Sequence, residues 1–127
     1  MTIGGWVPST GSTGYNLLAK DAPNDATYLS ADDSPPAAMQ YTMENLPPDV
    51  TSVRGLISVA RMRKIDGGDA NVQVSLISAG DEDAGADRPI TSAFTYWFDV
   101  SEVSPDTTDP WTPIEVDNME SKIDRTL

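Results

Sequence analysis

The chain has 127 residues, neither cysteine nor histidine, and a formal net charge of −12 at pH 7. Without cysteine it can form no disulfide or thiolate metal site, and without histidine it lacks the commonest general base and metal ligand. The strong negative charge repels nucleic acid and anionic membranes, so neither is expected as a partner.

Residues 1–14 are rich in Gly, Ser and Thr around one Trp and one Pro. They contain too few apolar residues for a layer of their own and predict an extended N-terminal arm, followed by one domain over residues 15–127. Trp6 would anchor the arm, either on the same domain or on a neighbouring subunit. No signal peptide or membrane-spanning run is recognisable, so synthesis in a cytoplasm is expected.

The next stretches predict short strands. The sequences "YNLL" and "TYLS" flank a turn at Asn24 and Asp25. Residues 37–46 alternate between apolar and polar, which favours a strand. Its apolar face would carry Met39, Tyr41 and Met43, and a Met pair at this spacing is typical of a core.

Residues 52–78 carry the strongest β pattern of the chain. Two β-rich runs are separated by "DGGD", and its glycines can take the positive φ angles of a tight turn, so a hairpin is predicted. In the second run Val72, Val74 and Leu76 alternate with polar residues and predict one buried face. The first run is apolar on both faces, which favours a central strand; the two pairs are Ile57 with Val59 and Ala60 with Met62.

Half of the eight basic residues lie in and around this first run: Arg54, Arg61, Arg63 and Lys64. Arg61 and Arg63 are two positions apart and therefore point to the same side of a strand. They are expected either to pair with carboxylates of adjacent strands or to contact an acidic partner subunit.

Residues 79–89 predict an acidic loop that contains Asp81, Glu82, Asp83 and Asp87. Its start is similar to a Ca²⁺-binding EF-hand loop, but Ala86 and Arg88 are not ligands. A solvated loop is the favoured interpretation and a Ca²⁺ site is the alternative. No metal site and no cofactor is assigned.

Residues 90–103 predict a long aromatic strand. Phe94, Tyr96 and Phe98 share one face, which is expected to be core. Trp97 lies on the other face, where it belongs either to the core or to a platform on which sugars stack.

The segment that follows predicts a short helix. Thr112 is a good N-cap, Pro113 suits the first helical position, and Glu115 completes a capping box. The side chains expected to close one end of the core are Trp111 and Met119, with Ile114 or Val116. Residues 121–127 predict either a last strand or a tail.

These elements predict an all-β fold, a β-sandwich or jelly roll of seven or eight strands with one short helix near the C-terminus. Twenty acidic residues bring some carboxylates together by chance, but no pair is set in an apolar cleft by a recognisable spacing. The chain is therefore not expected to be an enzyme.

Three short motifs follow one another within residues 6–123. They are an acidic turn that leads to "TY", a basic strand that ends at Gly, and "WT" followed by spaced apolar residues; the matching positions are Asp25, Thr27, Tyr28, Ala60, Arg61, Arg63, Lys64, Trp111, Thr112, Val116 and Met119. This order is similar to that of a group of small tailed-bacteriophage virion proteins. Met119 departs from an expected Leu, and Lys122 from a nearby Gly that would lead into the final strand.

The resemblance implies a structural virion protein with a jelly-roll-like fold and no catalytic residues. The first hypothesis is a capsid decoration, or cement, protein on the outer surface of the head. Its partners would be the major capsid protein and further copies of the chain, in a homotrimer. The alternative is a tail, neck or fibre component, or a carbohydrate-binding adhesin module. The candidate interface residues are Trp6, Arg61, Arg63 and Trp97.

Overall fold

The computed structural model describes residues 6–9, 26, 28–31 and 37–127. Among these residues the chain forms nine strands and one short helix, which confirms the prediction of an all-β fold. The strands are β1 (Trp6–Pro8), β2 (Leu29–Ala31), β3 (Ala37–Thr42), β4 (Leu56–Met62), β5 (Asn71–Ser78), β6 (Asp81–Ala84), β7 (Arg88–Pro89), β8 (Thr95–Ser101) and β9 (Glu120–Arg125). The predicted strand at residues 15–18 and the turn at Asn24 and Asp25 lie outside the described residues.

The main layer is a five-stranded antiparallel sheet with the order β3-β9-β5-β6, in which β7 also pairs with β5. Strand β9 lies at its centre, and Ile123 stands opposite Met39 of β3 and opposite Val74 of β5. Residues 121–127, predicted to form either a last strand or a tail, thus supply most of a central strand.

Two two-stranded ribbons form the opposite layer. β1 pairs with β2, and β4 pairs with β8 over seven residue pairs, from Leu56 opposite Ser101 to Met62 opposite Thr95. Both ribbons pack onto the main sheet through partly buried apolar side chains. The result is a β-sandwich with one continuous sheet and one divided layer.

Among the described residues the core consists of two neighbouring clusters. The first joins Met39, Val72, Val74 and Ile123 of the main sheet, with Trp6, Leu29, Tyr41, Ala60, Met62 and Ile90 packed against it. The second joins Leu76, Trp111, Val116 and Met119, with Leu46, Val53 and Leu56 packed against it. As predicted, Val72, Val74 and Leu76 form the buried face of one strand.

The helix, α1, spans Pro113–Asn118, and its capping box is present as predicted. The Thr112 amide donates to the Glu115 carboxylate at 2.8 Å, and the Glu115 amide donates to the Thr112 hydroxyl at 3.3 Å. Asp117 accepts a hydrogen bond from the Leu46 amide at 2.7 Å, which ties the helix to the segment after β3. Among the described residues no helix is long and apolar enough to cross a membrane.

The hairpin predicted at Asp66–Asp69 is wrong. That segment joins β4 to β5, which belong to different sheets: β4 pairs with β8, while β5 pairs with β6, β7 and β9. The tight hairpin lies one strand later, where Ala79 and Gly80 take φ angles of 51° and 100° between β5 and β6. Residues 81–84 are therefore an edge strand rather than part of a loop, because this turn carries them back along β5.

Candidate interaction surface

The β4–β8 ribbon presents apolar side chains on the side that faces away from the main sheet. Its register aligns Ile57 with Val100 and Val59 with Phe98, and Tyr96 follows at the next position on the same side. We call these five residues the outer face. They are 54–66% exposed, whereas large apolar side chains in such a group are usually buried. A contiguous exposed apolar patch of this kind is typical of a protein contact surface.

Two sequence-based expectations about this ribbon are wrong. The face of Tyr96 and Phe98 is exposed and is not core, and β4 has β8 as its only strand partner among the described residues, so it is not central. The alternate residues of β4 face inward, where Leu56, Ala60 and Met62 contact the core clusters. Both faces of β4 carry apolar residues: one face packs on the main sheet, and the other remains accessible.

An ion pair fastens the inner side of the ribbon to the main sheet. Arg88 of β7 contacts the carboxylate of Asp99 in β8 at 2.9 Å. The same guanidinium lies 5.3 Å from the centre of the Trp97 ring, within the range of a cation–π contact. Trp97 is half-buried on this inner side, opposite Ala60, rather than on the outer face.

A second polar bridge lies two residues further along, at the last residue of β8. The Ser101 hydroxyl donates to Asp83 of β6 at 2.7 Å and accepts from the Trp111 indole at 3.3 Å. Together with the Arg88–Asp99 pair, this bridge fixes the ribbon through polar groups on its inner side. The side of the ribbon opposite these polar bridges carries Ile57, Val59, Phe98 and Val100, which are exposed.

Arginines border one end of the outer face. The Arg61 guanidinium lies 3.7 Å from the centre of the Phe94 ring and 5.7 Å from that of Tyr96. The Arg63 guanidinium lies 4.6 Å from the Phe94 ring. The two predicted interface arginines are therefore brought together on one side of the strand, stacked on aromatic rings that hold them beside the apolar patch.

A carboxylate borders the opposite end. Continuation of the β4–β8 register places Gly55 opposite Glu102, and a Cβ at residue 55 would lie 3.9 Å from the Glu102 Cγ. Glu102 follows Tyr96, Phe98 and Val100 in the same alternation and is exposed. The apolar outer face is thus bordered by the arginines at its Arg61 end and by the Glu102 carboxylate at the other end.

The other two tryptophans do not reach this surface. Trp6 stands opposite Ala31 in the β1–β2 ribbon and packs against the first core cluster of this same chain. Trp111 is 2% exposed and belongs to the second cluster, as predicted together with Met119 and Val116. Ile114, the alternative to Val116, is exposed on the helix surface.

The acidic segment 81–87 directs its carboxylates to separate partners. Glu82 contacts Lys122 at 3.1 Å, Asp83 accepts from Ser101, and Asp87 accepts from Asn71 at 2.7 Å. In the part of the chain that the structure describes, no three acidic side chains converge as a set of metal ligands.

Lys122 is the centre of a charged group on the outer side of the main sheet. Its hydrogen bond to Asp124, at 2.7 Å, and the one to Glu82 raise its pKa against the opposing effect of burial. The Ser75 hydroxyl, followed by the Lys122 ammonium, lowers the pKa of Glu82. These charges cross-link β6 and β9, which are separated by β5 in the sheet.

A cleft of about 210 Å³ lies between the ribbon and the main sheet. Asp83, Asp99 and Gly85 line it, and a Cβ at residue 85 would lie 2.7 Å from the Asp99 carboxylate. Asp99 is paired with Arg88 and Asp83 with Ser101. Both carboxylates are therefore used to hold the layers together, and the arrangement suits structure better than acid–base chemistry.

Comparisons of the chain with protein-family models, with curated proteins and with solved structures gave no match.

Sequence reasoning identified the two arginines of this surface but missed most of the outer face. The residues missed as a surface are all five of the outer face, together with Glu102 at its border. A signal was present, because β4 carries apolar residues on both sides and the side of β8 opposite Tyr96, Phe98 and Val100 is mostly polar. Alternation alone cannot tell which side of such a strand meets the sheet, since that depends on a partner distant in the sequence.

Proposed function

We propose that this chain is a non-catalytic structural protein that assembles with other protein chains, and that its specific role is capsid decoration on the outer surface of a bacteriophage head. The observation that carries the proposal is the outer face, a row of exposed aromatic and aliphatic side chains with arginines beside it. Aromatic residues and Arg are the types enriched in protein interfaces. The virion setting rests on the resemblance of the motifs around Arg61 and Trp111.

The charge distribution supports assembly on a crowded surface. Twenty acidic and eight basic residues give copies of the chain a general mutual repulsion, while Arg61 and Arg63 concentrate positive charge beside the apolar patch. Many weak contacts repeated over a lattice give strong attachment through avidity. The proposed partners are the major capsid protein and further copies of this chain, and the proposed location is the virion.

Co-sedimentation with emptied phage heads tests the proposal. The chain is expected to pellet with heads that lack it, and the Ile57→Asp variant is expected to lose most of this binding. Ile114→Asp is the matched control, because Ile114 is equally exposed on the helix, away from the ribbon. If the parent chain stays in the supernatant at all concentrations, or if both variants bind alike, the proposal is wrong.

The second candidate function is sugar binding by a tail, neck or fibre protein or an adhesin module. The exposed rings of Tyr96 and Phe98 favour it, since aromatic faces stack on sugars. Phe98 is flanked by Val59 and Val100, however, and Arg61 is the polar neighbour of Tyr96, whereas sugar recognition needs several polar groups placed around the ring. Binding to a glycan array, abolished by Phe98→Ala, would support this candidate over the first.

A further inference from the structure

We propose that the outer face is covered by the outer face of a second copy of this chain, in an antiparallel pair related by a two-fold axis. The proposal concerns the purified chain in solution, where no capsid protein competes for the outer face, so it stands or fails separately from the role on a capsid. It also differs from the homotrimer expected from the sequence, because it assigns the same surface of both copies to one contact.

The charges at the two ends of the outer face favour a second copy of this chain as the partner. Arg61 and Arg63 lie at one end and Glu102 at the other, six and eight residues away along β4, which is roughly 20 and 27 Å. When two such faces are stacked with their strands antiparallel, the basic end of each copy meets the acidic end of the other. The surface is therefore complementary to itself.

The same charges exclude the alternative two-fold arrangement. An axis parallel to the strands would also bring the two apolar patches together, but it would set arginines against arginines and Glu102 against Glu102. Like charges facing each other across an interface weaken association and act against the wrong geometry. The axis we infer lies across the strands, and the row of Val59 and Phe98 is nearest to it, midway between the charged ends.

The small size of the apolar patch explains why the charged ends are needed for a stable contact. Five side chains exposed by 54–66% offer on the order of 500 Å² per copy, whereas a stable interface buries about 800 Å² per partner. The apolar residues alone are too few, and the arginines, Phe94 and Glu102 complete the contact. We therefore expect a pair whose formation depends on concentration and on salt.

A charge exchange tests the orientation. Sedimentation equilibrium of the parent chain is expected to show a reversible species of twice 13.6 kDa. Glu102→Arg alone and Arg63→Glu alone should each weaken the pair about tenfold, because each places like charges together at both ends. The double variant Glu102→Arg with Arg63→Glu should recover most of the parent affinity. Failure of the double variant to recover it would overturn the antiparallel arrangement.

Cross-linking tests the position of the axis, and the lack of native cysteine makes the result unambiguous. Facing sheets lie about 10 Å apart, beyond the reach of a disulfide, so a short bismaleimide is the suitable probe. Val59→Cys is expected to form covalent dimers rapidly, and the control Ile114→Cys is not. Equal rates for the two variants would refute the proposed axis.

Two further outcomes would overturn the proposal. A chain that stays monomeric at high concentration, with Val59→Cys protected from a monofunctional maleimide, would mean that another part of the same chain covers the face. A species of three times 13.6 kDa that Glu102→Arg does not affect would restore the homotrimer.

Discussion

Trp111 contributes to this fold through both its apolar ring and its single polar atom. The ring is almost fully buried beside Val116 and Met119, and the indole N–H is satisfied by the Ser101 hydroxyl. Ser101 in turn contacts Asp83, so one tryptophan links the helix to β8 and β6. A buried aromatic residue whose polar group is paired stabilises a core more than its area alone implies.

We predict that Trp111→Ala lowers the free energy of unfolding by about 3–5 kcal/mol, because it opens a large cavity and leaves Ser101 with one partner fewer. Urea titration followed by circular dichroism measures the change. Ile114→Ala, in the helix that begins two residues after Trp111, should alter stability by less than about 0.5 kcal/mol, since Ile114 is exposed. A similar loss for both variants would contradict the assignment of Trp111 to the core.

At the scale of single elements, local chemistry could be predicted and long-range pairing could not. The α1 helix was readable because its signals, Thr112, Pro113 and Glu115, lie within four residues. The partner of β4 was not readable, because β8 lies more than thirty residues along the chain and Asp66–Asp69 offers a convincing but unused turn. The Ala79–Gly80 turn was missed since Ala rarely takes a positive φ.

The candidate site, too, could be predicted from the sequence only in part. Arg61 and Arg63 were recognised because a spacing of two residues fixes their common side in any strand. The aromatic residues beside them were assigned to the wrong side, because Arg88 and Asp83 reach the inner side of β8 from distant strands. Nothing near Tyr96 in the sequence indicates that those polar bridges exist.

The charged group around Lys122 predicts how the main sheet responds to pH. The pKa of Lys122 is raised above its ordinary 10.5, so its contribution is complete below pH 10.5 and is lost as the pH rises through the folded-state value. The pKa of Glu82 is lowered below its ordinary 4.5, so its contribution is present above pH 4.5 and is lost as the pH falls through the folded-state value.

We predict that Lys122→Met flattens the alkaline side of the stability curve and reduces the acid-side loss caused by Glu82. Each effect should be below about 1 kcal/mol, because the pairs are partly exposed to solvent. Thermal melts between pH 3 and pH 11 measure both sides. If the alkaline side of the stability curve were unchanged in the variant, Lys122 would contribute nothing to the linkage between β6 and β9.

At the scale of the whole molecule, charge and apolar surface act in opposite directions. The net charge of −12 separates copies at neutral pH, whereas the outer face draws them together. The balance should shift near the isoelectric point of about 4.1, where repulsion disappears.

We predict a solubility minimum near pH 4.1 that depends on the outer face. Turbidity of the parent chain should rise sharply there, and Phe98→Asp should reduce it by removing the centre of the apolar patch. Ile114→Asp serves as the control, since it adds the same charge at a distance from the ribbon. Equal turbidity for both variants would show that the precipitation is not directed by the outer face.

The place of β9 in the sheet has a consequence for biosynthesis. β9 is the last of the described strands to leave the ribosome, yet β3 and β5 both pair with it. Until it emerges, each of those strands presents an open hydrogen-bonding edge, and the sheet cannot close around Ile123. Nascent chains should therefore depend on chaperone protection until translation has passed Arg125, and premature stop codons before Glu120 should yield aggregates rather than shortened folded proteins.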